Sequence, residues 1–396
     1  MTESQSALAT AAAEEVVQDQ VRRLTEEVLN SMKSAFVGKD EIIDVLGVCL
    51  IAGENMFLMG PPGTAKSALV HELAARLHGR SFDYLLTRFT EPNELFGPFD
   101  IRRLRDGELV TNKEGMLPEA DLVFLDELLN ANSAVLNSLL MVLNERVFRR
   151  GRETIQLPML IAIGASNHLP EDETLQALFD RFLLRVPCRN VAQEQLQDVL
   201  MAGWSLDAKK RRPQQEHSRI SVEDIRALQG LAGEVDLAGV RRPYVELIQR
   251  LRHAGAPISD RRAVKLQRLM AASALICGRT AAVPSDLWVL RYTWDSEEQQ
   301  EILSSLVQDA IQRCGVSEQS HPRVNSNSAP DPEAIARDLE RIEARLTEGV
   351  RDSDKAYARD QLGVLAGRCE WISSTQSREF LTGRVRKLLE QLRDAL

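Results

Sequence analysis

Gly60-Pro61-Pro62-Gly63-Thr64-Ala65-Lys66-Ser67 is the stretch on which the fold turns. The apolar run Met56-Phe57-Leu58-Met59 leads into it, and a helical pattern over residues 69–77 follows. Strand, glycine loop and helix in that order form the setting in which inward-pointing backbone N–H groups cradle phosphate oxygens. The N-terminus of the following helix adds partial positive charge. In this arrangement Lys66 reaches the β- and γ-phosphates, and the Ser67 hydroxyl is a ligand for Mg²⁺. The common loop, G-x-x-x-x-G-K-[ST], has glycine before the lysine, whereas Ala65 stands there in this chain. Alanine disfavours positive φ, so ordinary backbone angles are expected at Ala65.

Working outward, a chain of 396 residues is too long for one ordinary domain, and two or three are expected. An apolar content of 44% is ample for a packed core. The net charge of −9 argues against a broadly basic nucleic-acid surface. The longest basic run, Lys209-Lys210-Arg211-Arg212, precedes Pro213 and polar residues and reads as a solvated loop. No stretch approaches the ~20 apolar residues of a membrane span. The N-terminal residues 1–13 lack a basic-then-apolar leader, so a soluble, cytoplasmic protein is expected. Cys49, Cys188, Cys277, Cys314 and Cys369 are scattered, without C-x-x-C, and read as buried reduced thiols. His71 and His78, placed on the helix after the loop, have the wrong spacing for a zinc pair, and no structural metal is implied.

A helical segment with apolar positions Val16, Val17, Val21, Leu24, Val28 and Leu29 opens the chain, and Val37-Gly38-Lys39 interrupts it. A second helix over 41–52 feeds the first strand. Strands are expected near 56–59, 82–86, 122–125, 160–165 and 183–186. Their near-continuous apolar character suits a parallel sheet covered on both faces. Alternation with helices implies an α/β domain, taken as residues 1–204. Helices over 222–231, 242–252, 261–276 and 285–292, with no clear strand, mark an all-helical domain over 205–316. Residues 317–332, rich in Ser, Asn and Pro, read as a flexible linker. Residues 333–396 are helical, with one stripe at Ile335, Leu339, Ile342 and Leu346 and another at Phe380, Leu381, Val385, Leu388, Leu389 and Leu392. About 60 residues make a marginal domain alone, so docking on the helical domain or a partner is expected.

The run Leu122-Val123-Phe124-Leu125-Asp126-Glu127 supplies what the loop lacks. An apolar strand ending in paired carboxylates fits the second half of a nucleoside-triphosphate site. Asp126 would hold Mg²⁺ through water, and Glu127 would polarise the attacking water. A buried strand ending at Asn167 offers an amide near the γ-phosphate, although an Asn at a strand end also forms turns. Arg181, in Asp180-Arg181-Phe182, could face a neighbouring subunit or simply pair with Asp180. Ser259-Asp260-Arg261-Arg262 opens a helix. Ser259 or Asp260 could cap it, and Arg261 could reach the nucleotide or lie on a solvated face.

Taken in order, the 60–67 loop, Asp126-Glu127, Asn167, Arg181 and Arg261 resemble AAA+ ATPases, and within them the MoxR group. Arg88-Phe89-Thr90-Glu91-Pro92-Asn93-Glu94-Leu95-Phe96-Gly97-Pro98 is similar to the regulatory ATPase variant (RavA) branch. So are Leu117-Pro118-Glu119-Ala120, Leu143-Asn144-Glu145-Arg146, Leu178-Phe179-Asp180-Arg181 and Ser259-Asp260-Arg261-Arg262. The resemblance covers roughly residues 15–315. It implies an α/β P-loop NTPase core of the AAA+ type with a parallel sheet, an all-helical lid and a helical C-terminal extension.

The resemblance also implies roles. Lys66 and Ser67 belong to the first nucleotide motif, with Gly60, Pro61, Pro62, Gly63, Thr64 and Ala65, and Asp126 and Glu127 form the second. Asn167 is the first sensor, Arg181 an arginine finger acting in trans, and Arg261 the second sensor on the lid. Val37 and Gly38 match the position that holds the adenine. ATP and Mg²⁺, a homo-oligomeric, hexameric ring, a von Willebrand factor A-type partner and a protein client follow from the same resemblance. Two hairpins, around Arg105-Asp106-Gly107-Glu108 and Arg150-Gly151-Arg152, fit pore-facing positions or ordinary surface turns. The competing readings are a magnesium-chelatase-like ATPase subunit, a nucleotide-gated assembly or defence scaffold, and a DNA-acting motor, which the charge and the absence of a basic domain disfavour.

Overall fold

A computed structural model describes residues 17–100, 105, 110–150, 153–170, 172–191, 193–210, 220–315 and 320–324, with parts of 335–394 beyond these. The five apolar runs form β1 (Met56–Met59), β2 (Ser81–Leu85), β3 (Leu122–Asp126), β4 (Ile161–Ser166) and β5 (Leu184–Pro187). All pair in parallel, in the order β2-β3-β4-β1-β5. β1, β3 and β4 are central and almost wholly buried, so they are continuous apolar runs rather than alternating ones.

The first helix covers residues 17–35, with a π-wound middle at Arg23–Leu29 that apolar spacing did not announce. Helices α1 (Asp40–Ala52), α2 (Lys66–Arg76) and α3 (Ser133–Glu145) belong to the sheet domain. Asn132 caps α3, accepting from the Ala134 and Val135 N–H groups. α2 ends at Arg76, so His78 falls beyond it, in a two-residue strand.

The helical region holds α4 (Val222–Leu231), α5 (Ala238–His253), α6 (Asp260–Ile276) and α7 (Glu297–Cys314), with a 3-10 segment at Pro284–Tyr292. Ser221 and Asp224 cap α4 reciprocally, and Ser259 caps α6. The expected absence of strand here needs one correction. Ile220–Ser221 pairs in parallel with Leu77–His78, a contact between distant segments that local pattern does not encode. Lys209 and Lys210 end a helix, Leu196–Lys210, rather than starting a loop, while Arg211 and Arg212 lie outside the described residues.

Buried polar side chains in this region satisfy one another. Asp286, fully buried, receives both Arg279 Nη groups at 2.7 and 2.8 Å and the Ser273 hydroxyl at 2.7 Å. Trp288 Nε1–H in turn donates to Ser273 Oγ at 2.9 Å. Cys49, Cys188 and Cys369 are buried as expected, but Cys314 is exposed at the last turn of α7.

Part of the stretch read as linker packs tightly instead. His321 stacks on Trp288 at 4.5 Å, Arg323 Nε donates to Asp44 at 2.7 Å, and Val324 is buried. Pro322 starts a 3-10 turn there, which turns the chain back onto apolar surface. Residues 1–324 and 325–396 separate into two compact units. In the second unit, Ile335, Leu339, Ile342, Leu362, Leu365, Cys369, Leu381, Val385 and Leu388 form a buried cluster of their own. Leu346 lies outside the described residues, as does the Leu392 side chain.

Candidate nucleotide site

The glycine loop leaves β1 at the C-terminal edge of the sheet. Gly60 N–H donates to the Ser166 carbonyl at 3.0 Å. A Cβ at Gly60 would stand 2.0 Å from the Cys188 carbonyl oxygen, so the close approach of β1 to the end of β5 requires glycine. Pro61, Pro62 and Gly63 face solvent, and a Cβ at Gly63 would meet nothing. α2 begins at Lys66 without a side-chain cap, leaving its first-turn N–H groups for an anion. The buried Lys66 ammonium donates to the carbonyls of Gly60 at 2.6 Å and Pro61 at 3.1 Å, folded back over the loop.

Ala65 overturns the backbone expectation. Its φ is +69° and its ψ 21°, in the left-handed region. The loop must reverse direction before α2, and that geometry overrides alanine's preference at about 1–2 kcal/mol. The strain sits beside the phosphate cradle, where strained residues concentrate.

β3 ends next to the loop. Ser67 Oγ–H donates to Asp126 Oδ2 at 3.3 Å, and Asp126 Oδ1 accepts the Glu127 N–H at 3.0 Å. Glu127 also has positive φ, +50°, which turns its side chain off the strand line. β4 runs between β3 and β1, so Asn167, exposed at its end, emerges between the carboxylates and the loop. An uncapped helix start, a lysine, a hydroxyl and two carboxylates at one sheet edge fit a nucleoside triphosphate with Mg²⁺. Ser67 and Asp126 would hold the metal.

Val37 and Gly38 flank the same edge. Gly38, with φ +70°, faces Val191 and Gln195, each 3.0 Å from where its Cβ would lie. Lys39 Nζ donates to the Arg189 carbonyl at 2.5 Å and lies 3.9 Å from Cys188 Sγ. Cys188 Sγ–H donates to the Thr64 carbonyl at 3.2 Å, tying this segment to the phosphate loop. Sequence reading missed Val191, Gln195 and Cys188, because no motif marks them and only the end of β5 brings them in.

Arg181 and Arg261 lie elsewhere. Asn55, immediately before β1, donates to the carbonyls of Arg181 and Leu143, each at 3.1 Å. Arg261 donates to Asn144 Oδ1, the neighbour of Leu143. Both arginines therefore sit at the N-terminal edge of the sheet, a strand length of roughly 13 Å from the chain's own glycine loop. Arg261 therefore lies away from the glycine loop of its own chain. Asp180 is not the partner of Arg181. It lies 3.5 Å from Arg185, and the Arg181 guanidinium holds no carboxylate among the described residues.

Arg185, fully buried on β5, joins the sheet to the helical region. It pairs with Asp295 at 2.6 Å and donates to the carbonyls of Thr293, Trp294 and Phe179 at 3.3, 2.9 and 3.1 Å. Arg262 reaches both Asp295 oxygens at 3.2 Å. Burial first, then the nearby Arg262, lowers the Arg185 pKa to about 9.

Both expected hairpins have antiparallel arms. Phe99 bridges Thr111, and Val147–Arg150 pairs with Glu153–Gln156. Their tips, including Asp106, Gly107, Glu108, Gly151 and Arg152, lie outside the described residues. Arg150 links the two, with its guanidinium 3.9 Å from the Phe99 ring centre and donating to the Gly97 carbonyl at 2.8 Å.

Comparison with known proteins agrees with this geometry. A family model described as the MoxR domain in the MoxR-vWA-beta-propeller ternary systems matches residues 22–230, and an AAA lid domain model matches residues 240–307. Two uncharacterised proteins of Methanocaldococcus jannaschii are each 34% identical, over 287 and 276 residues. These matches cover 72% and 69% of this chain and 73% and 72% of theirs. The chaperone MoxR1 of Mycobacterium tuberculosis is 27% identical over 180 residues, covering 44% of this chain and 47% of its own. The crystal structure of a candidate ATPase from Cytophaga hutchinsonii shares the fold, with a TM-score of 0.61 at 18% identity over 78% of this chain and 100% of that one. No helix among the described residues is long and apolar enough to cross a membrane. With the glycine loop, the paired carboxylates, the parallel sheet and the helical lid in place, the chain belongs to the MoxR family of AAA+ ATPases.

Proposed function

We propose that this chain hydrolyses ATP within an oligomeric, hexameric ring and uses the resulting domain motion to remodel or mature protein complexes. The observation that carries this reading is the placement of Arg181 and Arg261. Both lie at the sheet edge opposite their own glycine loop, and Arg181 has no carboxylate partner among the described residues. A neighbouring subunit that presents its loop to this edge would receive both arginines.

In that arrangement the catalytic division of labour follows from chemistry. The uncapped α2 N-terminus and Lys66 hold the triphosphate. Ser67 and Asp126 would hold Mg²⁺, which would supply charge neutralisation on the phosphates. Glu127 accepts the proton of the attacking water, and Asn167 orients that water. Val37 and Gly38 hold the adenine. Arg181 and Arg261 of the adjacent subunit stabilise charge that develops in the transition state. Residues 1–204 form the nucleotide-binding core, 205–316 form the lid that carries Arg261, 317–332 are the connection, and 333–396 form an accessory helical unit.

A von Willebrand factor A-type partner is part of the proposal, supported by the name of the matched MoxR family model. The motifs from Arg88 to Pro98 support the RavA branch. Phe89, 90% exposed on a loop braced by Asn132 side-chain bonds to the Arg88 and Thr90 carbonyls, offers an apolar contact for a protein client.

The test is Mg²⁺-dependent phosphate release by four proteins: wild type, Lys66→Ala, Glu127→Gln and Arg181→Ala. Lys66→Ala is expected to lose nucleotide binding, while Glu127→Gln binds without turnover. Arg181→Ala keeps ATP affinity and loses rate. Mixing Arg181→Ala with Glu127→Gln subunits recovers activity at interfaces that hold both intact groups. Mixed rings that recover none would refute the trans arrangement, and wild-type turnover by Glu127→Gln would refute the catalytic assignment.

A further inference from the structure

The side chain of Glu127 is not left to find its own direction. Its positive φ is followed by a tight 3-10 turn, Leu128–Asn130, closed by the Asn130 N–H on the Glu127 carbonyl at 2.9 Å. That turn brings Asn130 back against the carboxylate, and Asn130 Nδ2–H donates to Glu127 Oε2 at 3.3 Å. On its other side, Asn130 Oδ1 lies 3.4 Å from His168 Nε2. His168 is anchored in its turn. Its backbone N–H donates to Ser166 Oγ at 3.3 Å, and its Nδ1 lies 3.0 Å from the Leu169 carbonyl.

A carboxylate oxygen only accepts, so the Asn130 amide must present its NH₂ to Glu127. Its oxygen then faces His168 Nε2. Reversing the amide would set Oδ1 against the carboxylate, a repulsive contact. Glu127 and the Leu128–Asn130 turn therefore fix the amide orientation. The link also joins the end of β3 to the end of β4, one residue beyond Asn167.

We propose that Asn130 is a positioning residue for Glu127. The inference rests on the reading of Glu127 as the proton acceptor. With Oε2 occupied by Asn130, Oε1 is the oxygen left to take the proton of the attacking water. Asn130 does not touch the phosphates in this assignment, so its loss alters rate rather than binding.

The experiment measures kcat and KM for MgATP, with affinity for a fluorescent ATP analogue as an independent readout of folding. Loss of a neighbour that orients a reacting group lowers rate by about 10- to 100-fold. Asn130→Ala is expected to show that fall in kcat with unchanged KM and analogue affinity. Asn130→Asp, of the same shape but carrying a carboxylate against Glu127, falls at least as far.

Wild-type kcat in Asn130→Ala, with hydrolysis still dependent on Glu127, overturns the positioning role and leaves the ATPase reading intact. Lost analogue affinity in Asn130→Ala and Asn130→Asp makes the residue structural and overturns it too. A wild type without any Glu127-dependent hydrolysis overturns the ATPase reading and this inference with it.

Discussion

Asp295→Ala should loosen the lid from the sheet more than any other single change at their junction. Asp295 stands between two guanidiniums, that of fully buried Arg185 at 2.6 Å and that of Arg262, 8% exposed, at 3.2 Å. Removing it leaves two buried positive charges facing each other. Taking one partner from a buried ion pair costs about 3–5 kcal/mol, since the remaining charge is neither paired nor solvated. Here Asp180, half exposed and 3.5 Å from Arg185, and three backbone carbonyls still receive Arg185. The loss should therefore fall at the lower end, about 3–4 kcal/mol.

Arg185→Met is the contrasting variant. It leaves Asp295 with Arg262 and gives the cavity an apolar chain of similar length, so it should cost about 1–2 kcal/mol. Thermal unfolding at pH 7 without nucleotide reads both. At roughly 2–3 °C per kcal/mol, Asp295→Ala should melt about 6–12 °C below wild type. Melting of Asp295→Ala within about 1 °C of wild type, or a larger loss in Arg185→Met, would show that Asp295 does not hold the junction.

Three further outcomes are expected. Ala65→Gly relieves about 1–2 kcal/mol of left-handed strain and forfeits about 0.4–1 kcal/mol through a freer unfolded chain. It should raise the melting temperature slightly, and a fall would show that the Ala65 methyl group packs more than it strains. His321, buried against Trp288, is held by that burial at a pKa of about 4, below its ordinary value of 6.5. Above pH 6.5 both folded and unfolded forms are neutral there and it contributes nothing. As pH falls from 6.5 to 4 the unfolded chain takes up the proton first, and about 3 kcal/mol of stability is lost. His321→Asn should flatten that part of a plot of melting temperature against pH, and an unchanged slope would exclude His321 as its source. A chain ending at Val324 should keep its affinity for an ATP analogue, because the glycine loop, the carboxylates and the lid all precede that point. Loss of binding from a folded truncated chain would place the C-terminal unit within the nucleotide site.

Much of the site was legible in the chain itself. The glycine loop, Asp126-Glu127 and Asn167 each follow an apolar strand, and a run of apolar residues with a polar end is a local signal. The β1 bounds were predicted as observed, and the other four strands fell within one residue at either end. The helices α4 and α6 announced themselves through apolar spacing, with Ser259 marking the start of α6, although α7 went unread because Gln and Glu dilute its pattern.

What tertiary structure alone decided is which of these local pieces meet. The order β2-β3-β4-β1-β5 puts Asn167 between loop and carboxylates, and nothing in any one strand states that order. The same sheet sends Arg181 and Arg261 to the edge away from their own loop, although sequence motif gives them the same standing as Lys66. Ala65 accepts a left-handed backbone because the ends of β1 and α2 are already fixed by the packed sheet. Cys188 reaches Thr64, and His168 reaches Glu127 through Asn130, only because parallel pairing aligns the strand ends. Strand and helix signals arise from neighbours along the chain, where spacing and side-chain chemistry suffice. Strand order, burial of charge and backbone strain arise from contacts between residues far apart in sequence, whose energies exist only once the chain has closed on itself.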